Sequence, residues 1–301
     1  MPPLDSIVKT SDLAALLDDF LHVDRFPSDD FAEIVPFSHA AGIRIEDYAT
    51  ETFLQRFNGL AMDNAEEVAC VFTLVFPSSE VLADVQRRAA GRPALIFTHH
   101  PMDFETSGAG LMPIRDAWLR RLRAQRISLY AAHAPLDCHE TVSTSRSLAR
   151  ALKVPAARTF ANYMGGHAGV HGRIDPVPFE EFAERLKAAC GVEQVTTKRN
   201  SDTVEHVAVV AGGAAYPGLM EEALAAGCDT YVTGDFQVRH GGPWAKEHRP
   251  QFDAFVEEVP LNLIGGSHYA TEALVLQDEM LGWFNSQGLP AEFVPQSDPW
   301  R

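Results

Sequence analysis

Imidazole and carboxylate side chains recur in this sequence where apolar segments end, and their types and spacing suit metal binding. The candidate ligands are His99, His100, Asp137, His268 and Glu272. Adjacent residues on an extended chain point to opposite sides, so His99 and His100 could each serve a different ion of a close pair. His268 and Glu272 share one helix face at spacing i, i+4, and the carboxylate could bridge both ions. The ligands therefore suit two divalent metal ions, with Fe, Mn, Zn and Ni all compatible.

Two such ions, ~3.5–4 Å apart, lower the pKa of a bridging water and stabilise an oxyanion during a displacement. A general acid or base would be a further residue at the rim, and the candidates are His133, Asp235 and His240. Each residue also has a purely structural interpretation, because a histidine can hydrogen-bond a carbonyl group and an aspartate can cap a turn. The interpretation as a metal site depends on the fact that several of these histidine and carboxylate residues come directly after predicted strands.

The apolar periodicity predicts the elements that position these side chains. Strands are expected at 68–76, 94–97, 127–132, 204–210, 230–233 and 261–264, and helices at 8–22, 81–90, 114–125, 179–190, 219–226 and 271–284. Alternating strands and helices predict largely parallel sheets, in which ligands gather at the carboxyl ends of the strands.

We predict an α/β fold of two lobes with largely parallel sheets in three layers, and a metal site between the lobes at the strand carboxyl ends. Residues 1–57 would be an N-terminal extension with an amphipathic helix, 58–160 the first lobe and 161–301 the second. The seam is expected in the Gly- and Pro-rich stretch 155–174. The Ala-Gly-Gly-Ala segment at 211–214 lacks phosphate-loop spacing, which favours tight strand-to-helix packing.

The amino-acid composition argues against several classes of function. The chain has 41 acidic and 25 basic residues, a net charge of −16, which disfavours binding to nucleic acid or to an anionic membrane. Its 4 cysteines form no C-x-x-C pair, which argues against a disulfide scaffold and suits a reducing compartment. No apolar run approaches the ~20 residues of a membrane span, and the N-terminus lacks a signal-peptide pattern. We therefore expect a cytoplasmic protein.

Short motifs in a fixed order resemble the NGG-interacting-factor-three-like family, dinuclear metal-centre proteins often labelled GTP cyclohydrolase I type 2 homologues. The motifs are NGL at 58–60, THHP at 98–101, HAPLD at 133–137, GRI at 172–174, VAVVAGG at 207–213, YVTGD at 231–235 and GSHYATE at 266–272. The metal ligands of the family match the five residues that the spacing selects. The resemblance also implies stacked α/β lobes that assemble into hexameric rings, with metal sites facing a central cavity.

The leading hypothesis is a metal-dependent hydrolase, of cyclohydrolase or phosphoesterase type, acting on a nucleotide-like or phosphate-bearing small molecule. One alternative is a metal-carrier or metal-insertion protein, in which the ions are cargo. Another is a regulatory interaction protein whose ring matters more than its ions. Activity on a nucleotide panel, exchange of metal with a chelator and partner binding by ligand variants distinguish the three.

Overall fold

The structure, a computed structural model, describes residues 7–29, 31–105, 110–239 and 242–299. The chain forms two compact units. Unit 1 contains the described parts of 1–105, 111–136 and 276–297, and unit 2 those of 106–110, 137–275 and 298–301. This grouping differs from the predicted lobes, because the N-terminal residues and a C-terminal segment both belong to unit 1.

The strands are Val8–Lys9 (β1), Gly59–Met62 (β2), Glu67–Val68 (β3), Cys70–Leu74 (β4), Ala94–Thr98 (β5), Asp103–Glu105 (β6), Gly110–Met112 (β7), Ile127–Ala131 (β8), Arg158–Tyr163 (β9), Gly166–Pro178 (β10), Thr196–Lys198 (β11), Thr203–Gly213 (β12), Thr230–Asp235 (β13), Asn262–Gly265 (β14) and Ala291–Phe293 (β15). The α-helices are Thr10–Phe20 (α1), Ile34–Ala40 (α2), Glu51–Arg56 (α3), Ser79–Ala89 (α4), Asp116–Ala124 (α5), Ala134–Asp137 (α6), Thr144–Ala151 (α7), Phe179–Cys190 (α8), Pro217–Ala225 (α9), Pro243–Glu258 (α10), His268–Gln277 (α11) and Glu279–Ser286 (α12).

The main sheet of unit 1 has the strand order β15-β4-β5-β8-β2. The first four strands are parallel, and β2 pairs antiparallel with β8 at the edge. Every residue of β4, β5 and β8 is buried, as expected for parallel strands that are covered on both faces. Ser78 caps α4 by accepting a hydrogen bond from the N–H of Val81, so the helix begins at Ser79, two residues before the predicted start.

The sheet of unit 2 has the order β11-β14-β13-β12-β10-β9. Strands β12, β13 and β14 are parallel, whereas β9 and β10 form an antiparallel hairpin at one edge. The hairpin turns at Met164 and Gly165, both with positive φ, as two-residue turns between twisted strands require. Both units are therefore α/β folds with parallel strands at the centre of the main sheet, which confirms the predicted α/β fold class.

Two sequence-based expectations are wrong. The stretch 155–174 is not a seam, because it contains β9 and most of β10, and the chain passes from unit 1 to unit 2 after Leu136. The predicted helix 271–284 is two helices, α11 and α12, which Asp278 separates with φ −114° and ψ −73°. Among the described residues, no helix has the length and apolar character needed to cross a bilayer.

Candidate metal centre

The histidine doublet lies at the carboxyl end of β5, and its backbone continues the sheet. The N–H groups of His99 and His100 donate to the carbonyl oxygens of Leu74 and Val75, at 3.1 and 2.9 Å. Both imidazoles are buried, at 0% and 4% exposure. His99 Nδ1 donates to the carbonyl oxygen of Ala132 at 2.9 Å, so the lone pair of this ring is on Nε2. This arrangement is common in metal-binding histidines, whose second nitrogen is held by an outer partner.

His133, which follows β8, joins the doublet in a three-histidine cluster. Its ring centroid lies 4.8 Å from that of His99 and 4.9 Å from that of His100. Each of the three residues offers a ligand nitrogen within 4.8 Å of the other two. Phe76 stacks on His100 with ring centroids 4.2 Å apart, which fixes the orientation of that imidazole. The cluster can therefore hold a metal ion.

A buried carboxylate that the sequence analysis missed orients His133. His133 Nδ1 donates to Asp29 Oδ1 at 3.1 Å, and Asp29 Oδ2 accepts from Asn58 Nδ2 at 2.8 Å and from the N–H of Ala134 at 2.9 Å. Asn58 Oδ1 in turn accepts from the backbone N–H of His133 at 2.8 Å. Burial alone would raise the pKa of Asp29, but the charge and hydrogen bond of His133, with the donors of Asn58 and Ala134, outweigh it. The pKa of Asp29 therefore lies well below its usual value.

In unit 2, His268 is the first residue of α11, and its Nε2 lies 2.9 Å from Glu272 Oε1. This confirms that the i, i+4 spacing brings the two side chains together. Gly212, at the end of β12, approaches them closely: a Cβ there would lie 2.3 Å from Glu272 Oε1. Its φ of +79° also favours glycine. Thr271 Oγ1 accepts from the N–H of Gly212 at 3.0 Å, so the glycines serve strand-to-helix packing, as predicted.

Asp137 and Asp235, the other predicted site residues that the structure describes, each contact a further polar side chain. Asp137 is half-buried at the end of α6 and accepts a hydrogen bond from Thr144 Oγ1 at 2.6 Å. Asp235, at the end of β13, is buried, and its Oδ2 lies 3.1 Å from Arg239 Nε. Burial raises the pKa of Asp235, against the opposing charge of Arg239. His240 lies outside the described residues.

The fold and these side chains define an α/β protein with clustered imidazole and carboxylate groups that could bind metal ions. A family model described as Duf34/NIF3 (NGG1p interacting factor 3) matches residues 55–282. The chain therefore belongs to the Duf34/NIF3 family.

Curated relatives carry the name "GTP cyclohydrolase 1 type 2 homolog". That from Deinococcus radiodurans is 27% identical over 238 residues, which cover 79% of this chain and 84% of the relative. That from Pyrococcus horikoshii is 28% identical over 222 residues, covering 72% and 80%.

Solved structures share the fold. Protein ybgI, described as of unknown function, has a TM-score of 0.70 at 22% identity, covering 97% of this chain and 100% of its own. Reduced HcgD from Methanocaldococcus jannaschii has a TM-score of 0.68 at 20% identity, covering 97% and 99%. These likenesses establish a shared fold.

Proposed function

We propose that this protein is a metal-dependent hydrolase whose divalent ions are bound by His99, His100, Asp137, His268 and Glu272. The observation that carries the proposal is the buried His99–His100 pair after β5, whose imidazoles each offer a ligand nitrogen, with a nitrogen of His133 within 4.8 Å of both. An outer carbonyl group already sets the tautomer of His99 for ligation through Nε2. The name of the curated relatives supports hydrolysis of a nucleotide-like substrate.

The donor set fits the proposed ions. Buried imidazoles and carboxylates without a thiolate suit Fe, Mn, Zn or Ni, and the buried Glu272 carboxylate beside His268 is a group that a cation would stabilise. Gly212 leaves the space that Glu272 Oε1 occupies, since any side chain there would displace it. Bound divalent ions would supply Lewis-acid polarisation and a water of lowered pKa.

His133 is the residue we assign to proton transfer. Because its Nδ1–H is donated to Asp29, its Nε2 carries the lone pair and can accept a proton from an attacking water. Asp29 is then a positioning residue, which fixes the tautomer of the imidazole. Asp235 and His240 remain predicted alternatives, and the ion pair of Asp235 with Arg239 makes it the weaker of the described candidates.

Elemental analysis of the purified protein, with turnover of a nucleotide and phosphoester panel with and without chelator, tests the proposal. We expect His99→Ala and Glu272→Gln to lose both metal and turnover. His39→Ala, at an exposed position of α2, and Glu221→Gln, on the exposed face of α9, are matched controls that should keep both. His133→Asn should keep the metal and lose turnover by about 10²–10⁴-fold.

Stoichiometric metal without turnover of any panel member would refute the hydrolase and favour a metal carrier. Turnover that survives loss of the metal would refute the catalytic role of the ions. The hexameric ring, the small-molecule substrate and the cytoplasmic location remain predictions. Light scattering of the purified chain checks the first of these.

A further inference from the structure

A second group of possible metal ligands lies at the other end of the unit 2 sheet. His171 on β10, His206 on β12 and Cys228 before β13 each offer a ligand atom within 4.8 Å of the other two. Their exposures are 7%, 8% and 5%, so the group is buried but close to the surface. The two histidines lie within neighbouring strands, and Cys228 lies in the loop between α9 and β13.

Backbone hydrogen bonds fix the positions of all three residues. In the antiparallel ladder, His171 pairs with Ala208 and His206 with Arg173, which makes the two histidines diagonal neighbours on one face. Two hydrogen bonds connect the loop that carries Cys228 to His206, one donated by the loop and one accepted by it. The N–H of Asp229 donates to the His206 carbonyl at 3.0 Å, and the N–H of His206 donates to Asp229 Oδ2 at 2.7 Å.

The imidazole of His206 is oriented as a metal ligand would be. Its Nδ1 donates to the carbonyl oxygen of Gly227 at 2.9 Å, so its lone pair is on Nε2, which faces His171 Nδ1 at 2.9 Å. Gly227 immediately precedes Cys228, so the residue that sets the tautomer of His206 also positions the thiol. Metal-binding histidines commonly make such a hydrogen bond with the ring nitrogen that does not bind the metal.

We propose that His171, His206 and Cys228 bind a zinc-class divalent cation. Zn–N and Zn–S bonds of about 2.0 and 2.3 Å in a tetrahedral site separate two ligand nitrogens by about 3.3 Å. The histidine nitrogens therefore need to separate by only a few tenths of an ångström from their present 2.9 Å. On binding, the cation replaces the thiol proton of Cys228, and the proton on His171 Nδ1 moves to Nε2. Three protein ligands leave a fourth position for water.

This site is separate from the His268–Glu272 pair of the same unit. Gly212, which packs against Glu272, lies six residues beyond His206 on β12, about 20 Å along an extended strand. The ligand chemistry also differs, because none of the residues proposed for the first centre is a cysteine. A thiolate ligand is therefore a signature that distinguishes the two.

Titration of the purified 301-residue chain with cobalt can detect a thiolate ligand. Thiolate-bound Co²⁺ gives an ultraviolet charge-transfer band that imidazole and carboxylate ligands do not produce. We expect the band in the wild-type protein and in Glu272→Gln, and its loss in Cys228→Ser. Cys138→Ser is the matched control, because Cys138 follows the predicted ligand Asp137 and would carry the band if the thiolate belonged to the first centre. His206→Gln should weaken cobalt binding at this site by at least about 10-fold.

Absence of the band at saturating cobalt would overturn the proposal, as would a band that survives Cys228→Ser or disappears in Cys138→Ser. Because Cys228 is buried, its variant could fail to fold. X-ray absorption at the zinc edge of the wild-type protein then tests the site without any substitution. One sulfur and two imidazole ligands on part of the bound zinc would support the site. Bound zinc without a sulfur ligand would refute it.

Discussion

Replacement of Asp29 by asparagine tests how the fold controls the chemistry of His133. The carboxylate is fully buried and accepts three hydrogen bonds, from His133 Nδ1, Asn58 Nδ2 and the N–H of Ala134. Asparagine has nearly the same shape but only one acceptor oxygen. If that oxygen takes the Oδ2 position and keeps two donors, its amide nitrogen faces His133 Nδ1. The imidazole must then accept there, and its proton moves to Nε2.

The cost to stability follows from the same contacts. A hydrogen bond to a charged group contributes about 1.5–3 kcal/mol and a neutral one about 0.5–1.5 kcal/mol, so neutralising Asp29 loses about 1 kcal/mol per bond and about 3 kcal/mol in total. Asp29→Ala leaves buried donors without an acceptor and should cost about 3–5 kcal/mol. Urea denaturation measures both free energies of unfolding, and Asp24→Asn, at an exposed position nearby, is the control.

Long-range proton–nitrogen NMR correlations of the histidine rings report the tautomer directly. In the wild-type protein we expect the His133 proton on Nδ1, and in Asp29→Asn on Nε2, where it blocks proton acceptance. Turnover should then fall by about 10²–10⁴-fold with the metal content unchanged. An unchanged tautomer, or a loss of stability below about 1 kcal/mol, would refute the assignment of Asp29 as the residue that positions His133.

Three further outcomes are expected. Gly212→Ala places a Cβ 2.3 Å from Glu272 Oε1 and should weaken metal binding by about 10–100-fold in a chelator competition, whereas Gly218→Ala, with open space around it, should not. Thr144→Val removes the donor to Asp137 and should weaken manganese binding by about 10-fold; unchanged affinity would argue against Asp137 as a ligand. Because the pKa of Asp29 is lowered on folding, its carboxylate stabilises the fold above pH about 4, and that contribution is lost as the pH falls below it. The stability difference between wild type and Asp29→Asn should therefore narrow as the pH falls below about 4.

The residues that could be predicted from the sequence are those whose positions depend on local periodicity. The apolar runs before His99 and His133 predict buried parallel strands, and the carboxyl ends of such strands meet at one edge of a sheet, so the sequence places the two histidines near each other. The pairing of His268 with Glu272 needs only one helical turn, which spacing reveals.

Contacts between residues far apart in the sequence could not be predicted from local periodicity. Asp29 lies in a polar segment without periodicity, and nothing local indicates that its carboxylate is buried against His133, 104 residues away. The hairpin of β9 and β10 is rich in glycine and polar residues, a composition that also describes loops. The break at Asp278 interrupts an otherwise continuous helical pattern, so one long helix was the natural expectation.

Backbone hydrogen bonds from His99 and His100 to Leu74 and Val75 extend the pairing of β5 with β4 beyond the last strand residue, Thr98. The amide protons of the two histidines should exchange with solvent as slowly as those of the surrounding strands, since both are released only when the sheet opens. If the doublet binds metal as proposed, its backbone would be in position before the ion arrives, without the coupled folding found in zinc fingers. Ions could be removed and replaced, or one metal exchanged for another, while the polypeptide around the doublet stays folded.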